Sequence, residues 1–174
     1  MQYLTKPELR RLLETAKAHN KLHHLALLVG FWHGLRVSEL CNLKGADISD
    51  GQINVRRMKR SRSTLQPLHY DSDPLLDESP LAELAKGTPG NLFPFTRQWV
   101  DQFVKKYAKL AGIHPDKAHF HVLKHSIAMA LFDDAQSLGQ VQSYLGHKAA
   151  SSTLAYLYEA DASKAHKIVE RMKI

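Results

Sequence analysis

"LGHKAASSTLAYLY", Leu145 to Tyr158, sets a histidine after a Leu-Gly pair, follows it with small and hydroxyl residues, and ends on two tyrosines two positions apart. On a helix such positions point to roughly opposite sides, about 200° around the axis, so Tyr156 and Tyr158 cannot share one role. Tyr156 stands nine residues after His147, and the small residues between them suit a short, movable segment. Tyr158 is left as packing or as a backup.

Outward from this segment, 174 residues with 44% hydrophobic content make one domain with a sizeable core. The single cysteine, Cys41, has no internal partner, and the first residues carry no apolar leader, which together point to a reducing, cytoplasmic setting. The longest apolar run, Leu25 to Trp32, is far short of the roughly 20 residues of a membrane helix, so a soluble chain is expected. Lys and Arg outnumber Asp and Glu by 24 to 17, a net charge of +7 that favours a polyanionic partner. "RRMKRSR", Arg56 to Arg62, concentrates five cations in seven positions and suggests a phosphate-contacting hairpin formed by Arg56, Arg57, Arg60 and Arg62 around Lys59.

The periodicity predicts a mainly α-helical α+β fold. Thr5 caps a first helix with Glu8 as its capping-box partner, and Leu9, Leu12, Leu13 and Ala16 share one face. A second helix runs from about Lys21 to His33 and stops at Gly34; a third follows in "RVSELCNL", with Val37, Leu40 and Leu43 inward. "GQINVRRM" and "STLQPLHY" read as strands of a small antiparallel sheet, with a turn near residues 60–63. Proline-rich and glycine-rich stretches from Asp71 to Asn91 enclose one short helix near Leu81 to Lys86. Residues 97–111 form a periodic helix through Trp99, Val100, Phe103, Val104, Tyr107 and Leu110, closed by Gly112, and everything past His119 reads as four helical segments.

Singly, Arg36, His121, His125 and His147 each have an ordinary helix-end or half-buried explanation. In order, "GLRVSEL" (Gly34 to Leu40), a basic hairpin with Lys59, "HVLKHS" (His121 to Ser126) and "LGHKAASSTLAY" resemble the tyrosine recombinase, or phage integrase, family, from "YLTKPEL" through "NLFP" to the last helix. The resemblance implies that family's catalytic fold and its chemistry. A tyrosine hydroxyl attacks a DNA phosphodiester, leaving a 3′-phosphotyrosyl link and a free 5′-hydroxyl; a second 5′-hydroxyl reverses the step. Bond energy is kept in the linkage, so no cofactor, ATP or metal is implied. What the step needs is fixed cationic donors around the charge growing on the phosphate oxygens.

Residue by residue, the resemblance makes Tyr156 the nucleophile and Arg36 a bidentate fork to the phosphate. Lys59 becomes the general acid for the leaving 5′-oxygen; Arg57, Arg60 and Arg62 compete for that position, and counting back from Pro67-Leu68 favours Lys59. His121 and His147 would bond phosphate oxygens, with His121 taking the tyrosine proton, and Glu39 would orient its neighbours. Lys124 departs from the pattern, because the family usually has a second arginine there, and lysine is a point donor without a fork. The alternative reading is therefore a DNA-binding remnant with weak or no cleavage. A zinc site at His121 and His125 lacks a third ligand, and a relaxing topoisomerase would share the tyrosine step.

The resemblance also implies an N-terminal DNA-clamping domain that this chain does not carry, so the chain is either a fragment or a minimal protein with a partner. Double-stranded DNA is the expected partner, bound by a homotetramer on paired sites; a monomer is plausible without DNA, and the setting is nucleoid-associated. The tail "DASKAHKIVERMKI", Asp161 to Ile174, is expected to be a docking helix or to pack on its own domain.

Overall fold

The computed structural model describes residues 2–57, 61–134, 137–156 and 158. Thr5 opens α1 (Lys6–His19) as expected: its hydroxyl accepts the Glu8 amide, and the Glu8 carboxylate accepts the Thr5 amide at 2.8 Å. Asn20 then caps α2 (Lys21–Trp32), its side-chain oxygen accepting the amides of Leu22 and His23. α2 is the central helix, buried from His23 through Phe31, and α1 and α6 (His121–Asp134) pack against it. Gly34, at φ +57°, reverses the chain after α2, a conformation that needs a residue without Cβ, and α3 (Val37–Cys41) starts three residues later.

Three strands form an antiparallel sheet in chain order: β1 (Ile48–Ser49), β2 (Gln52–Val55) and β3 (Thr64–Pro67). Ile53 pairs with Gln66 and Val55 with Thr64, so the strands part at Val55, earlier than a turn at 60–63 would have it. α4 (Ser79–Gly87) and α5 (Arg97–Leu110) follow, then α6, α7 (Leu138–Leu145) and a helical stretch over residues 151–156. In α5 the core face is Val100, Phe103, Val104, Tyr107 and Ala108; Trp99 and Leu110, expected inward, are 47% and 57% exposed. Among the described residues no helix is long and apolar enough to cross a membrane. The tail from Asp161 to Ile174 lies outside the described residues.

Candidate active site

Arg36 stands at the turn between α2 and α3, where the Glu39 carboxylate accepts its backbone amide at 2.8 Å and its Nη1 at 3.0 Å. The same Nη1 lies 3.4 Å from the Ser61 hydroxyl, linking the turn to the segment before β3. Glu39 is buried, while the Arg36 side chain keeps 35% of its surface exposed, enough to meet a ligand. Arg57 reaches Glu39 from the other side at 3.1 Å and donates to the carbonyls of Gly34 at 2.8 Å and His33 at 2.7 Å. Burial works to raise the Glu39 carboxyl, but the Arg36 amide and the charges of Arg57, Lys124 and Arg36 outweigh it and hold the group below its ordinary value.

This corrects the expectation for Arg57, which is no surface contact for DNA: its side chain is fully buried and its guanidinium is committed to the Arg36 turn. Two positions of alternation after Val55 point it inward. Arg56 and Arg62 do face solvent, and Arg56 pairs with Asp47 at 2.8 Å. Lys59 and Arg60 lie outside the described residues.

Lys124, on α6, is 1% exposed, and among the described residues its amino group has no hydrogen-bond partner. Burial first, then the charges of Arg57 and Arg36, push it down to about 7, with Glu39 opposing. The negative neighbour, Glu39, is already shared by Arg36 and Arg57.

α7 ends at Gly146, in the left-handed region at φ +68°, where a Cβ would come 2.5 Å from the Arg62 carbonyl. The Arg62 amide donates to the Gly146 carbonyl at 2.8 Å, and Ser61 pairs with His147, so the basic connection is fastened to the start of the tyrosine segment. His147 Nδ1 lies 2.9 Å from the hydroxyl of the fully buried Thr153. Tyr156, 6% exposed, sets its ring nearly parallel to His147, 6.2 Å between centroids at 18°, and edge-to-face with His125, 5.5 Å at 79°. Burial raises the phenol, with Arg36 opposing. His147 is pushed down to about 4 by burial and by Lys124, Arg36 and Arg57. Tyr158 is 71% exposed, which goes against the packing alternative given for it.

Motifs separated by as many as 120 positions, from Arg36 to Tyr156, thus meet in one place, and residues 2–163 match the phage integrase family. The chain belongs to that family. A tyrosine recombinase of Thermosipho africanus is 32% identical over 170 residues, covering 93% of this chain and 59% of that relative, so this integrase-family chain spans somewhat over half its length. The catalytic domain of bacteriophage HP1 integrase shares the fold, with a TM-score of 0.71 at 22% identity, covering 98% of this chain and 95% of that one. So does the XerH recombinase solved bound to its difH substrate, with a TM-score of 0.71 at 22% identity over 93% of this chain and 52% of that one.

Of the residues expected at the site, Arg36, Glu39, Lys124, His147 and Tyr156 form a contiguous group. His121 sits on its solvent-facing edge with its ring 4.4 Å from that of His125, and partial desolvation, followed by the charges of His125, Lys124 and Arg36, pushes it down to about 4. Sequence reasoning missed His125 as a neighbour of Tyr156, because the i,i+4 spacing from His121 reads equally as a metal pair. Among the described residues no cluster of three or more His, Cys, Asp or Glu side chains is placed to hold a metal ion.

Proposed function

We propose that this chain is the catalytic domain of a site-specific DNA recombinase, cleaving and rejoining double-stranded DNA through a 3′-phosphotyrosyl intermediate at Tyr156. The observation that carries the reading is the placing of one buried tyrosine ring between His147 and His125, beside an arginine whose carboxylate partner is itself held by a second arginine. Arg36 binds the scissile phosphate, and Lys124 and His147 supply further donors as negative charge grows on its oxygens. His121, at the rim, bonds a phosphate oxygen and takes the tyrosine proton. Lys59 protonates the leaving 5′-oxygen, and Arg56, Arg60 and Arg62 meet the DNA backbone. The reaction as proposed uses no cofactor, and exchange of strands requires four protomers on two paired sites, assembled from monomers by DNA.

The test uses a duplex selected from a random library for binding to this protein, nicked next to the cleavage position so that the released strand diffuses away. Wild type should form a covalent protein–DNA adduct on denaturing gels, and Tyr156→Phe should form none while Tyr158→Phe behaves as wild type. An adduct that survives Tyr156→Phe refutes the assignment. An adduct from Lys124→Arg but not from wild type would favour the DNA-binding remnant, a reading to which the unpartnered Lys124 amino group lends support.

A further inference from the structure

His125 has no part in the chemistry proposed above, yet it is a direct neighbour of the Tyr156 ring, and it is tied to a distant part of the chain. Its Nδ1 lies 3.1 Å from the Gln2 carbonyl, which accepts and cannot donate, so Nδ1 carries the hydrogen and the ring's tautomer is fixed. Burial, stronger than the Gln2 bond that opposes it, disfavours a second proton on the ring. The next residue repeats the tie: the Ser126 hydroxyl accepts the Leu4 amide at 2.8 Å and donates to the Val122 carbonyl at 2.7 Å. Residues 2–4 are thereby pinned along α6 at two successive positions, and the first pin is the residue against Tyr156.

Residues 148–152 of the tyrosine segment are exposed; among the described residues the segment is fastened at its start by the Arg62 amide on Gly146 and the Ser61–His147 pairing, then by Thr153 on His147 and by the ring contacts of Tyr156. Removing the His125 ring opens a gap along one edge of the phenol, and small displacements of a reacting group weigh heavily on rate. We propose that His125 is a positioning residue for the Tyr156 nucleophile, forming with His147 an aromatic slot whose far wall is held in place by the Gln2 carbonyl. The inference rests on Tyr156 being the nucleophile.

The experiment measures adduct formation on the selected nicked duplex with sulfur replacing the bridging 5′-oxygen, because sulfur leaves without a proton and the rate then reports the attack. His125→Ala should slow adduct formation at saturating DNA about tenfold to a hundredfold while the DNA concentration for half-saturation stays within about twofold. His125→Phe, which keeps a ring but loses the Gln2 bond, should fall between the two. A second arm replaces the nucleophile: in Tyr156→Phe, hydrogen peroxide is supplied to attack the phosphate, and cleavage should be equal in Tyr156→Phe and His125→Ala/Tyr156→Phe. Wild-type adduct formation by His125→Ala overturns the proposal. So does loss of peroxide cleavage in the double variant, which would make His125 a support of the whole site rather than of the tyrosine. If wild type itself forms no adduct, the functional reading fails and the proposal with it.

Discussion

Replacing Arg57 with alanine should damage stability before it damages DNA binding. The guanidinium gives hydrogen bonds to the carbonyls of His33 and Gly34 at 2.7 and 2.8 Å, to Glu39 at 3.1 Å and, at 3.5 Å, to the Tyr144 carbonyl. Each acceptor left without a donor costs about 1–3 kcal/mol. Removing one member of a buried ion pair costs about 3–5 kcal/mol. These figures overlap, since they count the same desolvated oxygens, and Glu39 keeps its bonds to Arg36, so the net loss should be about 3–5 kcal/mol. For a chain of this size that lowers Tm by on the order of 10 °C. Arg56 provides the contrast: its side chain is 66% exposed, and its loss strips one partner, 2.8 Å away, from the buried Asp47 carboxylate, at a cost of about 1–3 kcal/mol. Thermal unfolding monitored by circular dichroism, together with DNA affinity measured across a salt series, separates the two. Arg56→Ala should lower Tm less than Arg57→Ala and reduce the slope of log affinity against log salt by about 0.9 per lost phosphate contact, whereas Arg57→Ala should lower Tm more and leave that slope nearly unchanged. If Arg57→Ala kept the wild-type Tm and flattened the salt dependence, the inward placing of this side chain would be wrong.

Three further outcomes follow from the same geometry. Because Lys124 sits at about 7 and an arginine there stays charged, the ratio of the Lys124→Arg rate to the wild-type rate at subsaturating DNA should climb as pH rises from about 7 to 9; a constant ratio would refute a titrating Lys124. His121 and His147, ordinarily near 6.5 and here pushed to about 4, take up fewer protons folded than unfolded between those values, so Tm should fall as pH is lowered from 6.5 toward 4, and His121→Gln/His147→Gln should flatten that fall. Gly146→Ala must hold φ near +68° with its Cβ 2.5 Å from the Arg62 carbonyl, which should cost more than about 1–2 kcal/mol in chemical denaturation and detach the basic connection from His147; a neutral substitution would mean that the turn relaxes freely.

Much of this was legible in the sequence because it is written locally. The Thr5–Glu8 capping box, the stop at Gly34 and the buried face of α1 depend on neighbours three or four residues away, and they stand where the pattern puts them. Trp99 and Leu110 were misread because periodicity defines the direction of a stripe but not how far the opposing surface extends to cover it. The order of the motifs located Arg36, Glu39, Lys124, His147 and Tyr156. The basic run put Arg57 among the DNA contacts, since five cations in seven positions look alike until an inward alternation through Ile53 and Val55 is carried past the strand end. His125 was hidden for another reason: its contact with Tyr156 crosses 31 positions of sequence and leaves no local trace.

Arg57 and Lys124 are best understood together. Arg36 and Arg57 already share the Glu39 carboxylate, and both guanidiniums are permanently charged. A third permanent cation, buried next to that carboxylate before any phosphate has arrived, would face two positive neighbours with no counter-charge of its own. Lysine avoids this by giving up its proton, and its unpartnered amino group, pushed down to about 7, is the sign that it is close to doing so. It follows that Lys124→Arg should lower Tm of the DNA-free protein in the wild-type background, and lower it less when Arg57 is already replaced by methionine. A double-mutant cycle of thermal stability tests this: additive effects of the two substitutions would show that the residues do not sense each other, and the pairing would have to be abandoned.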